Sequence, residues 1–300
     1  MNGADHSPGH VPVLLEKVIE LLSPVPGGRY IDNTGGDGWM SRAILKKSSP
    51  DGIVLTIDCD SRTNEVREKN LSEFGQRSIR VNSNFEDMAR VAEKYELVPV
   101  DGVLYDLGMT SHMVDVAEYG ASFRYDSPLG MNMDPDAEIS AWDIVNTWPD
   151  DKLKEMFFAM DVGRFSGRIA RGIAAGRQNG DIETTKQLAE IIERAVPRKF
   201  HPKRIDVCTK PFLAIRVAVN RERETLEASL RDCRKVLKTG GVLVVICYSS
   251  FEDRITRKVI REDPYEWSKL AKKAVTPDDE ELERNPRSRS ARLRAWRRVS

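Results

Sequence analysis

Two hydrophobic periods alternate along the first third of the chain. Leu14, Leu15, Val18, Ile19 and Leu22 share one stripe, which predicts an amphipathic helix over residues 13–22, broken by Pro26-Gly27-Gly28. Arg29 to Asp32 reads as a short strand entering the turn Asn33-Thr34-Gly35-Gly36-Asp37-Gly38, and a helix from Trp39 to about Lys47 follows. Gly52 precedes a second strand, Ile53 to Ile57, which Asp58 ends. Helix, strand (Ile79 to Val81), helix and strand (Val100 to Tyr105) complete a βαβαβαβ run. Such a run predicts a parallel sheet with helices on both faces, an α/β fold.

From Ser111 the pattern changes. Residues 111–134 are rich in Gly, Met, Asp and Tyr without a period and read as a long ordered loop. Helical segments follow at 141–148, 150–160, 163–178 and 184–195, with no strand between them. The α/β pattern returns with a helix over 223–238, the turn Thr239-Gly240-Gly241, an apolar strand Val242 to Cys247 and a helix from Phe251 to Arg261. Residues 290–296 alternate with period two and suit a closing edge strand. The expected division is therefore residues 1–110 with 209–300 as a sheet domain and 111–208 as a helical insertion.

Composition adds limits. Charged residues are 31% of 300, hydrophobic ones 40%, and the mean hydropathy is −0.46, which is a soluble globular composition. No apolar run nears the roughly 18–20 residues that a membrane helix needs, so no membrane partner is expected. Residues Met1 to His6 show neither the basic start of a secretory signal nor an Arg-rich transit helix. Cys59, Cys208, Cys233 and Cys247 are scattered without metal or disulfide spacing, which fits a reducing cytoplasm and buried thiols. The histidines do not cluster with them, so no metal site is expected.

The chemistry-bearing signal is the first turn. Gly36 and Gly38 let the backbone turn sharply, and the helix starting at Trp39 and Met40 aims free N–H groups at a ligand. Asp58 lies 20 positions past Gly38, where an acid at a strand end accepts ribose hydroxyls. A dinucleotide turn would carry a third glycine, and here that position is Ser41. The acid-x-Thr-x-Gly-x-Gly form favours S-adenosylmethionine; an NAD site and an ordinary strand-to-helix turn are the alternatives. Phe85 follows the third strand and either stacks on adenine or packs in the core. Asp106 closes the fourth strand beside the first, either as a simple strand end or as an acceptor for the donor's ammonium or an amine substrate.

Forty-seven basic and 47 acidic residues cancel, so only charge distribution can mark a nucleic-acid surface. Arg164, Arg168 and Arg171 share one helix face, and Arg198-Lys199 and Lys203-Arg204 follow. From Asn285 to Ser300 six arginines, including Arg287, Arg289 and Arg292, occur without an acid. These suit RNA phosphates; a solvated face, or pairing of the tail with the acids of 278–283, is the competing explanation.

Several segments together resemble one family. His10 to Leu15, Asp32 to Ser41, Ile57 to Asp60, Val100 to Gly108, Phe123 to Leu129, Arg164 to Ala170, Phe212 to Val217, Glu252 to Ile255 and Asn285 to Ala291 are similar to the bacterial 16S rRNA (cytosine-N4)-methyltransferase family, RsmH/MraW. The resemblance implies a class I S-adenosylmethionine-dependent methyltransferase sheet with an inserted substrate domain. It also implies the small-subunit rRNA as partner, with Phe123, Tyr125 and Tyr248 as stacking candidates for a flipped base. Asp106, with the Leu107 carbonyl, would hold the amino protons of cytosine N4, with Tyr248 and Ser249 as further catalytic residues beside it.

The chain departs from that family in its polar residues. Gly38-Trp39-Met40-Ser41 replaces Gly-Gly-His-Ser, Met113 replaces a glutamine near the cofactor, Gly130 and Asn132 replace an acid and an arginine, and Tyr248-Ser249 replaces Phe-His. A different RNA or other acceptor, or an inactive RNA-binding or ribosome-assembly relative, are the alternatives these changes leave. Oligomeric state stays open, a dimer included.

Overall fold

The computed structural model describes residues 12–108, 116–203 and 205–300. Leu15–Leu22 forms α1, and its buried Val18 and Leu22 lie on the predicted stripe. The helix begins two residues later than the apolar pattern because Leu14 adopts a left-handed conformation, and the Glu281 carboxylate accepts its N–H at 2.6 Å. The expected βαβ run then appears as β1 (Arg29–Asp32), α2 (Trp39–Lys47), β2 (Ile53–Asp58), α3 (Asn64–Leu71), β3 (Ser78–Asn82), α4 (Met88–Lys94) and β4 (Val100–Asp106).

The inserted segment carries α5 (Ala141–Thr147), α6 (Asp150–Ala159), α7 (Ser166–Gly176), α8 (Thr185–Ala195) and α9 (Thr209–Val219). Then come α10 (Glu222–Val236), β5 (Leu237–Cys247), α11 (Ser250–Glu262), β6 (Trp267–Lys269), α12 (Asp279–Arg284) and β7 (Arg292–Arg298). Capping boxes start α5 at Ser140 and α8 at Thr184, which satisfies first-turn amides and explains why the periodicity located these helices well.

The chain divides into two units, Met1–Gly108 with Thr225–Ser300, and Met109–Glu224. The return to the sheet unit therefore falls in the first turn of α10, and not at residue 209. The reason is packing. Helix α9 lies against α5 and α6, and its C-cap Asn220 accepts from Met133 N–H at 2.7 Å and donates to Met131 O at 2.8 Å. Those bonds tie down the end of the long loop expected before Asp134.

Within the sheet unit the strand order is β3-β2-β1-β4-β5-β7-β6. Neighbours from β3 to β5 are parallel, and β7 is antiparallel to both β5 and β6. Val54, Leu104, Val244 and Ile246 pack on α1 and α2, while Ile31, Leu55, Val103 and Val245 are equally buried, so both faces are covered. One expectation is corrected: β7 is not the edge. Trp267–Lys269 pairs on its outer side, and a three-residue strand is too short to show a period.

Candidate active site

Strand β1 delivers Asp32 to the sheet's carboxyl edge, where the carboxylate is fully buried and joins three elements. It accepts from Ser41 Oγ at 2.6 Å, and Ser41 Oγ also meets Thr56 Oγ1 at 2.7 Å. The serine that stands in the third-glycine position thus links α2, β1 and β2. Burial pushes the Asp32 carboxyl up to about 6, against the hydrogen bonds from Ser41 and Thr34 that favour its ionised form.

The turn itself is closed internally. Gly38 has φ +86°, a conformation that side chains other than glycine rarely adopt, and its N–H donates to Gly35 O at 2.7 Å. Gly36 N–H donates to Asp58 Oδ2 at 2.6 Å, and Asp60 N–H to Asp58 Oδ1 at 2.8 Å. Burial raises the Asp58 carboxyl, partly offset by the positive Arg67 and these two amides.

These contacts decide between the two nucleotide cofactors. A dinucleotide site offers its turn amides to a pyrophosphate. Here the amides of Gly36 and Gly38 are already used, and two carboxylates, Asp32 and Asp58, stand beside them. That environment repels a phosphate and suits a ligand rich in donors: a ribose diol, an ammonium, a positive sulfur. S-adenosylmethionine carries all three, so the residues present fit it. Asp58 could hold the ribose and Asp106 the ammonium or the reacting amine.

At the neighbouring strand end, Thr34 Oγ1 accepts from Asp106 N–H at 2.6 Å, joining the ends of β1 and β4. Tyr248, just past β5, donates its hydroxyl to Asp106 Oδ1 at 2.8 Å. Burial pushes the Asp106 carboxyl up to about 7; Tyr248 opposes the shift, and Asp32 and Glu252 add to it. The Tyr248 phenol is itself raised by burial and by the adjacent carboxylate. Phe85 is half-buried, with its ring edge-on to Tyr105 at 6.2 Å between centroids. Its carbonyl is fixed by Ser229 Oγ at 2.8 Å and Asn33 Nδ2 at 3.3 Å.

Other expected site residues stand elsewhere. Met40 is 6% exposed, and its side chain packs in the core with Ile44 and Leu71. The first turn of α2 has one apolar face, and Met40 falls on it, whereas Trp39 stays half-buried. Ser249 is the N-cap of α11: its Oγ accepts Glu252 N–H at 3.2 Å, and Glu252 accepts from the backbone of Tyr248 and Ser249. The hydroxyl expected to be catalytic is engaged in starting a helix. Met113 lies outside the described residues.

Arg164, Arg168 and Arg171 are exposed, although Arg164 sits in a 3₁₀ turn ahead of α7. Arg287, Arg289 and Arg292 are exposed as well. Farther along β7, Arg294 is bound to the Asp253 carboxylate. Two of the acids of 278–283 serve as caps: Asp278 accepts the Glu281 N–H at the start of α12, and Glu281 accepts the Leu14 N–H. Cys208, Cys233 and Cys247 are buried free thiols, and no metal-binding group occurs among the described residues.

Sequence reasoning missed Arg67. This α3 side chain is 2% exposed, and its Nη1, which has no hydrogen-bond partner among the described residues, lies 3.4 Å from where a Gly35 Cβ would stand. It is the buried cation facing the Asp32 and Asp58 carboxylates. Nothing in α3's weakly amphipathic sequence distinguishes it from a solvated arginine.

The parallel sheet with its reversed final hairpin, its acid-lined switch point and its self-satisfied turn places the protein among class I S-adenosylmethionine-dependent methyltransferases. Residues 7–299 match the MraW methylase family. The chain is 39% identical over 307 aligned residues to the Ribosomal RNA small subunit methyltransferase H of Syntrophobacter fumaroxidans, covering 95% of each. Against the protein of the same description from Thermomicrobium roseum it is 40% identical, over 97% of this chain and 94% of that one. The Desulfotalea psychrophila relative, described likewise, is 38% identical over 97% and 98%. The chain belongs to the MraW methylase family.

Proposed function

We propose that the protein transfers a methyl group from S-adenosylmethionine to N4 of a cytidine in small-subunit ribosomal RNA. The observation that carries this reading is the pairing of Asp106 with Tyr248 at the junction of β1, β4 and β5. When bound, S-adenosylmethionine supplies a methyl group already activated by its positive sulfur.

Everything else falls to the chain's own residues. Cytosine N4 is a weak nucleophile because its lone pair is delocalised into the ring. An ionised Asp106 accepts an N4–H bond, holds the amino group in place and favours the lone pair over the ring. Alignment of this kind contributes several kcal/mol to such displacements. The product nitrogen sheds one proton, and Asp106, held up to about 7, is matched to receive it near neutral pH. Tyr248 keeps one carboxylate oxygen oriented, leaving the other for the substrate.

The relatives are named as small-subunit ribosomal RNA methyltransferases, which supports the substrate class. The exposed Arg287, Arg289 and Arg292 and the arginines of α7 supply the phosphate contacts such a substrate needs. Buried free thiols fit the reducing cytoplasm. No helix among the described residues is long and apolar enough to cross a membrane.

The deciding experiment incubates small ribosomal subunits and their naked RNA with the enzyme and S-adenosylmethionine, then digests the RNA for nucleoside mass spectrometry. N4-methylcytidine is expected in wild-type reactions and absent with Asp106→Ala. Methylation at another atom, or none in a protein that binds the cofactor, would overturn the assignment.

A further inference from the structure

Several arginines in this chain face a carboxylate: Arg42 meets Glu73, Arg80 meets Glu68, Arg231 meets Glu262 and Arg216 meets Glu222. Two on one helix of the inserted unit do not. Along the exposed face of α7, Arg168 and Arg171 have no ion-pair partner among the described residues. Lys154 of α6 comes up beside them. Arg171 Nη1 and Lys154 Cε lie 3.6 and 3.8 Å from one point, the position a Cβ on Gly167 would occupy. Lys154 thus adds a third positive residue to this face, and like charges gathered on one surface favour a bound anion.

Next to this pair the surface is hollow. Gly176 approaches Ile191 of α8 so closely that a Cβ would stand 2.8 Å from it. The small residues on this side of α7 leave a cavity of about 420 Å³, rimmed by Arg168, Arg171, Asn179 and Arg194. Arg194 is shared with Glu190 at 2.8 Å, but both are exposed, and such a pair is weak enough to reopen. One turn before Arg168, the Arg164 guanidinium lies 4.1 Å from the Phe200 ring centroid and 5.0 Å from that of Phe165.

From this arrangement we infer a phosphate-binding notch between α7 and α8, in which Arg168, Arg171 and Arg194 grip the RNA backbone with Lys154 at its edge. The inference rests on the reading of the protein as an RNA methyltransferase and names a contact region on its inserted unit. Guanidinium groups match phosphate oxygens in a two-pronged geometry, and several on one concave surface follow a backbone without reading sequence. The aromatic and arginine cluster one turn away offers an unpaired base something to stack on, which an acidic protein surface would not use.

The test compares Arg168→Gln/Arg171→Gln with Lys46→Gln/Lys47→Gln, which removes the same charge from the sheet unit. Binding of naked small-subunit rRNA is measured across a salt series, beside S-adenosylmethionine affinity as a control for folding. The α7 variant is expected to lose roughly tenfold in RNA affinity near physiological salt, with a slope of log K against log salt shallower by about 2. The lysine variant should match wild type, and cofactor affinity should hold in both.

An α7 variant with wild-type affinity and slope would overturn the notch, even where the wild-type enzyme methylates rRNA normally and the functional reading stands. A wild-type protein that neither binds nor methylates RNA would overturn both. Polyglutamate serves as a competitor: if it binds the wild type as tightly as RNA does and loses that binding in the α7 variant, the notch is a site for acidic protein instead.

Discussion

The Tyr248 hydroxyl donates to Asp106 Oδ1 across 2.8 Å, joining the residue that ends β4 to the one that follows β5. This bond favours the charged form of a carboxyl that burial pushes up to about 7. If the ionised Asp106 is the working form, kcat/KM should rise with pH through about 7. Tyr248→Phe removes the donor, so the carboxyl should titrate higher and the midpoint of the pH–rate profile should move up by up to about one unit. An unmoved midpoint would separate the two residues functionally.

Asp106→Asn tests the same carboxyl through stability. In the unfolded chain the group titrates near 3.8, and in the folded protein near 7. The folded state therefore holds the extra proton between those values, and stability falls as pH rises through that window. The asparagine variant lacks this loss. At pH 8 it should be more stable than wild type by about 1–2 kcal/mol, with little advantage at pH 4, as measured by urea unfolding. Methyl transfer should fall by a factor on the order of 100 or more.

Arg67 should matter as much as any residue in the turn. Removing a buried cation leaves Asp32 and Asp58 facing each other without compensation, which typically costs about 3–5 kcal/mol. Arg67→Met is therefore expected to be strongly destabilised and weakened in S-adenosylmethionine binding. Arg67→Lys, which keeps the charge but not the guanidinium, should recover part of both. Calorimetric titration at pH 6 and 8 adds a second readout: in Arg67→Met the acids should take up protons more readily, so binding should weaken most at the lower pH.

Local signals were legible in the sequence, and long-range ones were not. The order of β1 to β4, the turn at Gly36 and Gly38, and Asp58 and Asp106 at strand ends all depend on short-range period and spacing, and they stand where the sequence put them. Ser249 and Met40 carry structural duties that the site reading did not assign them. Ser249 carries a local signal of its own, since Ser249-x-x-Glu252 is a capping-box spacing that competes with the resemblance, whereas whether a methionine lines a site depends on which way α2 rotates. Arg67 was invisible because its environment is assembled from Gly35, Asp32 and Asp58, which are distant in sequence. The strand at Trp267 was too short to carry a period, so β7 was read as an edge.

Ser249 offers the sharpest separation of a structural from a catalytic hydroxyl. Its Oγ accepts the Glu252 N–H at 3.2 Å, while Glu252 accepts from Tyr248 N–H at 2.7 Å and Ser249 N–H at 2.9 Å. Ser249→Ala removes an N-cap acceptor, which should cost about 1 kcal/mol of stability. The backbone bonds to Glu252 survive this change, so Tyr248 stays in place and turnover at 25 °C should remain within about threefold of wild type. Glu252→Ala breaks the other half of the box and frees the Tyr248 backbone. It should therefore lower kcat as well as stability, and a loss of kcat in Ser249→Ala equal to that in Glu252→Ala would return the serine hydroxyl to the reaction.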